Sequence, residues 1–138
     1  MPRVSLCPLP LPSTAVTCVD HIGRLLLRAG RRHNPPLETG LGDDGLARVV
    51  HPSATLRTLL DLGITQIRQY CRGEMAVSLR LLRALERVAT VVRDRADLER
   101  IALHARLITE AVSAQFPPED CEELTARRDA VSRLVARA

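Results

Sequence analysis

Four histidines (His21, His33, His51, His104) and four cysteines (Cys7, Cys18, Cys71, Cys121) are the side chains best able to hold a metal or attack a substrate. Their spacing assigns neither task. A di-iron bundle needs Glu-x-x-His pairs on facing helices, but the positions three residues either side of His104 hold Ile101 and Leu107. The His-Glu-x-x-His helix of a zinc protease and the Gly-x-Ser-x-Gly elbow of a serine hydrolase are both absent. A mixed site drawn from His21, His104 and a cysteine is the one metal arrangement the spacing leaves open. No Cys-x-x-Cys pair occurs, and Cys18, Cys71 and Cys121 fall among apolar helical positions, where they read as buried free thiols. Gly40-Leu41-Gly42-Asp43-Asp44-Gly45 has the letters of a dinucleotide-binding loop, yet its acids would repel phosphate. Those acids also lack the further oxygen ligands of a calcium loop. The residues therefore predict no catalytic group, no metal and no cofactor.

Charge is more informative. The 138 residues carry a net +4, and all 20 basic residues are Arg. Arg without Lys reflects codon usage in a GC-rich bacterial genome, since the residues are spread over every segment. The excess, however, sits at one end. Residues 1–36 hold five Arg (Arg3, Arg24, Arg28, Arg31, Arg32) against the single acid Asp20, while the rest of the chain is balanced. Such a basic portion suits phosphate, whether of lipid or nucleic acid. Nucleic acid is the poorer fit: Tyr70 and Phe116 are the sole aromatics available for base stacking. Arg80, Arg83 and Arg87 also share their helix with acids, so no basic recognition helix stands out.

The elements that must position these residues are mainly helical. With 46% hydrophobic residues and almost no aromatics, the core has to be Leu, Val, Ile and Ala, the vocabulary of packed helices. Residues 1–12 alternate Pro with apolar residues and should be extended or disordered, leaving 13–138 as one helical domain. Ser13 or Thr14 caps a first helix that ends near Gly30 and buries Ala15, Val16, Val19, Ile22, Leu26 and Leu27. Gly23, in its middle, predicts a close helix crossing. Asn34-Pro35-Pro36 breaks the chain, and a small β-hairpin is expected at 37–41 and 46–50 around the Gly-Asp-Asp-Gly turn.

Ser53 should cap a second helix, striped by Leu56, Leu59, Leu60, Gly63, Ile64, Ile67 and Cys71 and stopped at Gly73. A third helix, 74–93, is apolar over most of its circumference and belongs at the centre. A fourth runs from Asp94 to Gln115, burying Leu98, Ile101, Ala105, Ile108 and Val112. The fifth opens on Glu119, Asp120, Glu122 and Glu123 after Pro117-Pro118, and its acidic start and basic end suit the helix dipole. The expected fold is a five-helix, bundle-like domain with one small hairpin inserted after the first helix. No apolar run approaches the ~20 residues of a membrane span, and the start does not resemble a signal peptide. A cytoplasmic location follows.

Two stretches carry a family resemblance: Ser13-Thr14-Ala15-Val16-Thr17-Cys18-Val19-Asp20-His21-Ile22-Gly23 and Ile64-Thr65-Gln66-Ile67-Arg68-Gln69-Tyr70, the latter followed by the Leu/Arg helix at 75–93. Together they resemble the carboxy-terminal, extramembrane region of a family of predicted bacterial membrane proteins of unknown function (domain of unknown function 2254). The resemblance implies that transmembrane helices precede this region in full-length members. It also implies that the basic amino-terminal portion lies nearest the lipid, at the inner face of the membrane, as the positive-inside pattern would produce. Where family members carry Asn-Asp before the first motif, this chain has Pro10 and Leu11.

Arg24, Arg28, Arg31 and Arg32 are thus the candidates for weak contact with an anionic surface. Asp20, Gln66, Arg68 and Tyr70 are the candidate interaction or structural-polar residues. Arg68 lies off the apolar stripe and is expected to pair with Asp61 or Asp20, and Tyr70 to pack between helices with its hydroxyl bonded. The expected role is non-enzymatic, through a homo-oligomer or a membrane-protein partner. The alternative is a bundle that binds a small molecule or a metal, and DNA binding ranks behind it.

Overall fold

A computed structural model describes residues 12–32, 37–52, 54–71 and 73–138. The proline-rich start with Cys7, the Asn34-Pro35-Pro36 break and the Ser53 cap lie outside the described residues. Five helical rods carry the fold. The first is α1 (Pro12–Arg31). The second joins α2 (Leu56–Leu59), a π-turn (Leu60–Ile64) and α3 (Thr65–Cys71) without leaving helical backbone. The third is α4 (Met75–Ala89) and the fourth is α5 (Arg95–Ser113). The fifth is a 3-10 turn (Pro118–Cys121) running into α6 (Glu122–Arg137).

Local chemistry sets the boundaries. The hydroxyl of Thr55 accepts from Thr58 N–H at 3.2 Å and starts α2, satisfying a donor that the helix cannot reach. Asp94 does the same for α5 through Asp97 N–H at 2.9 Å. Gly73, at φ +80, ends the second rod in the left-handed region, and a Cβ there would meet Ala111 O at 2.7 Å. Glycine is required on both counts.

α4 is the central rod, packed against α1, α5 and α6. Val77, Leu81, Leu82, Leu85 and Val88 are buried on it, with Ser78 the one buried polar side chain. The buried set from the other rods is likewise aliphatic, including Val19, Leu26, Leu60, Ile64, Ile101, Ile108, Leu124 and Val131. The expected close crossing at Gly23 is present: a Cβ on that residue would lie 3.2 Å from the Ala84 Cβ of α4. On the outer side of α4, Glu123 of α6 takes Arg83 at 2.8 Å, while Arg127 of α6 takes Glu86 at 2.8 Å. These ion pairs tie α4 to α6 over an otherwise aliphatic contact.

The inserted hairpin is not supported as part of this architecture. The backbone of β1 (Leu37–Leu41) runs antiparallel to β2 (Ala47–Pro52), irregularly at Gly40/Leu41, but no substantial packing against the helices anchors the two segments. A lone two-stranded ladder is marginal in water. The fold is mainly helical, and the packing that defines it joins helices alone.

Candidate functional site

A polar cluster is built where the π-turn meets α5. Asp61, on the π-turn, receives Arg100 Nε at 2.7 Å and Arg100 Nη2 at 2.8 Å, a two-pronged ion pair. Its Oδ1 also lies 3.0 Å from His104 Nε2. Arg100 and His104 are four residues apart on α5 and so share a face. The Arg100 guanidinium, and after it His104, holds the Asp61 carboxyl below the usual carboxylate range against the opposing effect of burial. Burial pushes the His104 ring down, beyond what Asp61 restores, and the charges of Arg100 and Arg68 push the same way. His104 Nδ1 and Arg68 Nε are both buried without a hydrogen-bond partner.

An Asp–His pair of this kind could move a proton at Nδ1. The ring is only 3% exposed, however, and it lines neither the groove beside α2 nor the one between α1 and α4. The arrangement ties the π-turn to α5. The turn itself explains why Arg68 is drawn in. Leu56, Leu60, Ile64 and Arg68 are spaced by four, a row that drifts around an ideal α-helix. A turn closed by wider i→i+5 bonds holds more residues and brings the row back towards the core. Arg68 was expected to pair with Asp61 or Asp20, but Arg100 and Arg80 hold those two carboxylates instead.

Asp20 forms the second polar link. Arg80 of α4 grips it through Nε at 2.6 Å and Nη2 at 2.7 Å, within a groove of about 420 Å³ between α1 and α4. The hydrogen bond from Arg80 holds the Asp20 carboxyl below its ordinary range. The remaining candidates lie on the surface. Gln66 and Tyr70 are exposed, Tyr70 to 69%, so the tyrosine does not pack between helices. It stands with Gln66 and Gln69 on the side away from Ile67 and Cys71. Cys18 is exposed, contrary to the expectation of burial, whereas Cys71 is half-buried and Cys121 buried. Burial pushes the Cys71 thiol up.

The outward side of α1 is basic. Thr17, Cys18, His21, Arg24, Leu25, Arg28, Arg31 and Arg32 are all exposed, and Arg24, Arg28 and Arg31 recur at the four- and three-residue spacing of one helix face. No carboxylate lies within ion-pair distance of these four Arg among the described residues. Asp20, the one acid on α1, is turned to Arg80. Among the described residues there is no group of three or more His, Cys, Asp and Glu placed to hold a metal, and His21 and His104 are not brought together.

Residues 12–87, more than half of the chain, match the family described as "Predicted membrane protein (DUF2254)". The chain belongs to this family. Both stretches that carried the resemblance lie inside the match. In this DUF2254 chain the matched part spans α1 to the last turn of α4, and so includes the Asp20–Arg80 pair, Asp61, Arg68 and the arginines of α1. It stops before Arg100 and His104, so the cluster around Asp61 draws its other members from outside the matched region. No curated protein and no solved structure matches the chain. Among the described residues, no helix is long and apolar enough to cross a membrane.

Proposed function

We propose that this chain is the extramembrane helical region of a DUF2254 membrane protein, and that it works by association rather than catalysis. Its α1 face would lie against the anionic, cytoplasmic surface of the bilayer. The observation that supports this reading is the exposed series Arg24, Arg28, Arg31 and Arg32 at the helix that opens the family match, with no carboxylate within ion-pair distance among the described residues. Each Arg near an anionic leaflet contributes about 1 kcal/mol, so the four together give millimolar-range attachment, about 4 kcal/mol. That is too weak to anchor a free protein. It is enough to orient a domain already held near the bilayer.

Co-sedimentation of the chain with vesicles tests the reading. Binding to phosphatidylcholine vesicles that contain phosphatidylglycerol, released by salt and weakened by Arg24→Gln with Arg28→Gln, is the expected result. Equal affinity for pure phosphatidylcholine, or no binding at low salt, overturns it.

A second surface favours association with another copy of the chain. Thr58, Leu62, Gln66, Gln69 and Tyr70 are exposed along the second rod, with Leu62 at 61%. The strip is uncharged on an otherwise charged surface, and an isologous contact between identical strips meets no like-charge repulsion.

A further inference from the structure

At one end of the bundle the last turn of α1, the start of α2 and the α4–α5 linker enclose an open groove of about 520 Å³. Its floor is apolar and closely fitted. Leu56 and Val92 are buried there, and a Cβ on Gly30 would come within 2.9 Å of Val92 Cγ2. Its walls carry Arg31, Arg32, Arg57 and Arg93, which come from three separate elements, together with Asp94 and Asp97. Both acids are already engaged. Asp94 caps α5 through Asp97 N–H, and Asp97 holds Arg57 at 3.5 Å. Arg31, Arg32 and Arg93 are exposed and have no carboxylate within ion-pair distance among the described residues. A helix C-terminus favours a basic residue, which accounts for Arg31. It does not account for Arg93 arriving from the far side of the same groove.

We propose that this groove binds a phosphate monoester, held by the guanidinium groups of Arg31, Arg32 and Arg93 with Arg57 behind them. Guanidinium forks match the oxygens of phosphate in pairs. Four Arg against two Asp leave the groove doubly positive, the complement of a monoester near its dianion form. A diester such as phosphatidylglycerol offers one charge and fewer free oxygens. The monoester has two sources, a soluble sugar or glycerol phosphate and the headgroup of phosphatidic acid. The proposal deepens the reading of α1 as a membrane-facing helix and rests on it for the lipid source alone.

The test uses the full chain and two probes: glycerol 3-phosphate, followed by titration calorimetry, and vesicles of phosphatidylcholine with phosphatidic acid, compared with vesicles of equal phosphatidylglycerol charge. Saturable glycerol 3-phosphate binding that Arg93→Gln weakens about tenfold supports the groove and a soluble ligand. A preference for phosphatidic acid over phosphatidylglycerol, lost in Arg93→Gln, supports the groove and a lipid ligand. Arg24→Gln with Arg28→Gln, outside the groove, leaves both effects in place. Arg93 is exposed, so an unchanged unfolding midpoint verifies that its variant folds. If Arg93→Gln changes neither probe, or if neither probe is preferred, the groove proposal is overturned. Phosphatidylglycerol binding through α1 would then still stand or fall by its own variants.

Discussion

Asp61 Oδ1 lies 3.0 Å from His104 Nε2, and this contact fixes which ring nitrogen carries the proton. A carboxylate oxygen held by Arg100 can only accept, so neutral His104 must donate from Nε2 and leave a bare lone pair at Nδ1. Because burial depresses the folded-state affinity of the ring for a second proton, the unfolded chain protonates first as acid is added. Stability contributed by neutral His104 is therefore complete above the ordinary histidine value of 6.5 and declines as pH falls below it. Asp61, depressed from 3.8, loses its contribution in a second and lower window. Thermal unfolding followed from pH 8 to pH 2 should show the upper step apart from the lower one, which Asp61 shares with the arginine-held Asp20 and Glu123. His104→Gln keeps a donor for Asp61, removes the upper step and leaves the lower one.

Gly23 sets how closely α1 approaches α4. A Cβ added to it would stand 3.2 Å from the Ala84 Cβ, which leaves no room for a branched side chain, and overpacking a fitted contact costs about 1–3 kcal/mol. Gly23→Leu should lower the urea midpoint accordingly. Adding Ala84→Gly removes the atom in the way and should recover part of the loss, a non-additivity expected for neighbours in contact. Full additivity of the two changes would mean that the helices do not meet there.

How far the fold was legible follows from these two cases. Gly23 could be read in advance because a mid-helix glycine in an apolar stripe has few other uses. Helix order, the central place of the helix expected at 74–93 and the start of the next helix near Asp94 were legible for the same reason: local spacing carries them. The Asp61–Arg100–His104 cluster was not, since Asp61 lies about forty residues from the other two and no spacing rule joins it to them. One signal was available. His104 continues the row of Ile101 and Ile108 at helical spacing, and a histidine inside such a stripe must find a partner when buried. Arg68 and Tyr70 were misplaced for a different reason, because the π-turn shifts the face of every residue after Leu60 and the letters Leu-Asp-Leu-Gly-Ile do not announce it.

Leu82 on α4 is fully buried, whereas Leu25 on α1 is 57% exposed. Truncating the first leaves a cavity at the centre of the helical packing, so Leu82→Ala should cost about 2–5 kcal/mol. Leu25→Ala should stay within about 0.5 kcal/mol. Equilibrium denaturation by urea measures both. Similar losses for the two would contradict the central position of α4.

Leu62 and Tyr70 provide the test of the association surface. Both project into solvent from the second rod, so Leu62→Ser with Tyr70→Ser should change unfolding stability by no more than about 0.5 kcal/mol. If identical strips meet, the wild-type chain sediments as a dimer at high concentration and the double variant as a monomer. The uncharged strip also predicts that dimerisation changes little with salt, in contrast to vesicle binding through α1, which salt should abolish. A wild-type chain that stays monomeric at every concentration would remove the second copy from the account and leave α1 untouched. The two faces are separable because one is uncharged while the other would be held by charge alone.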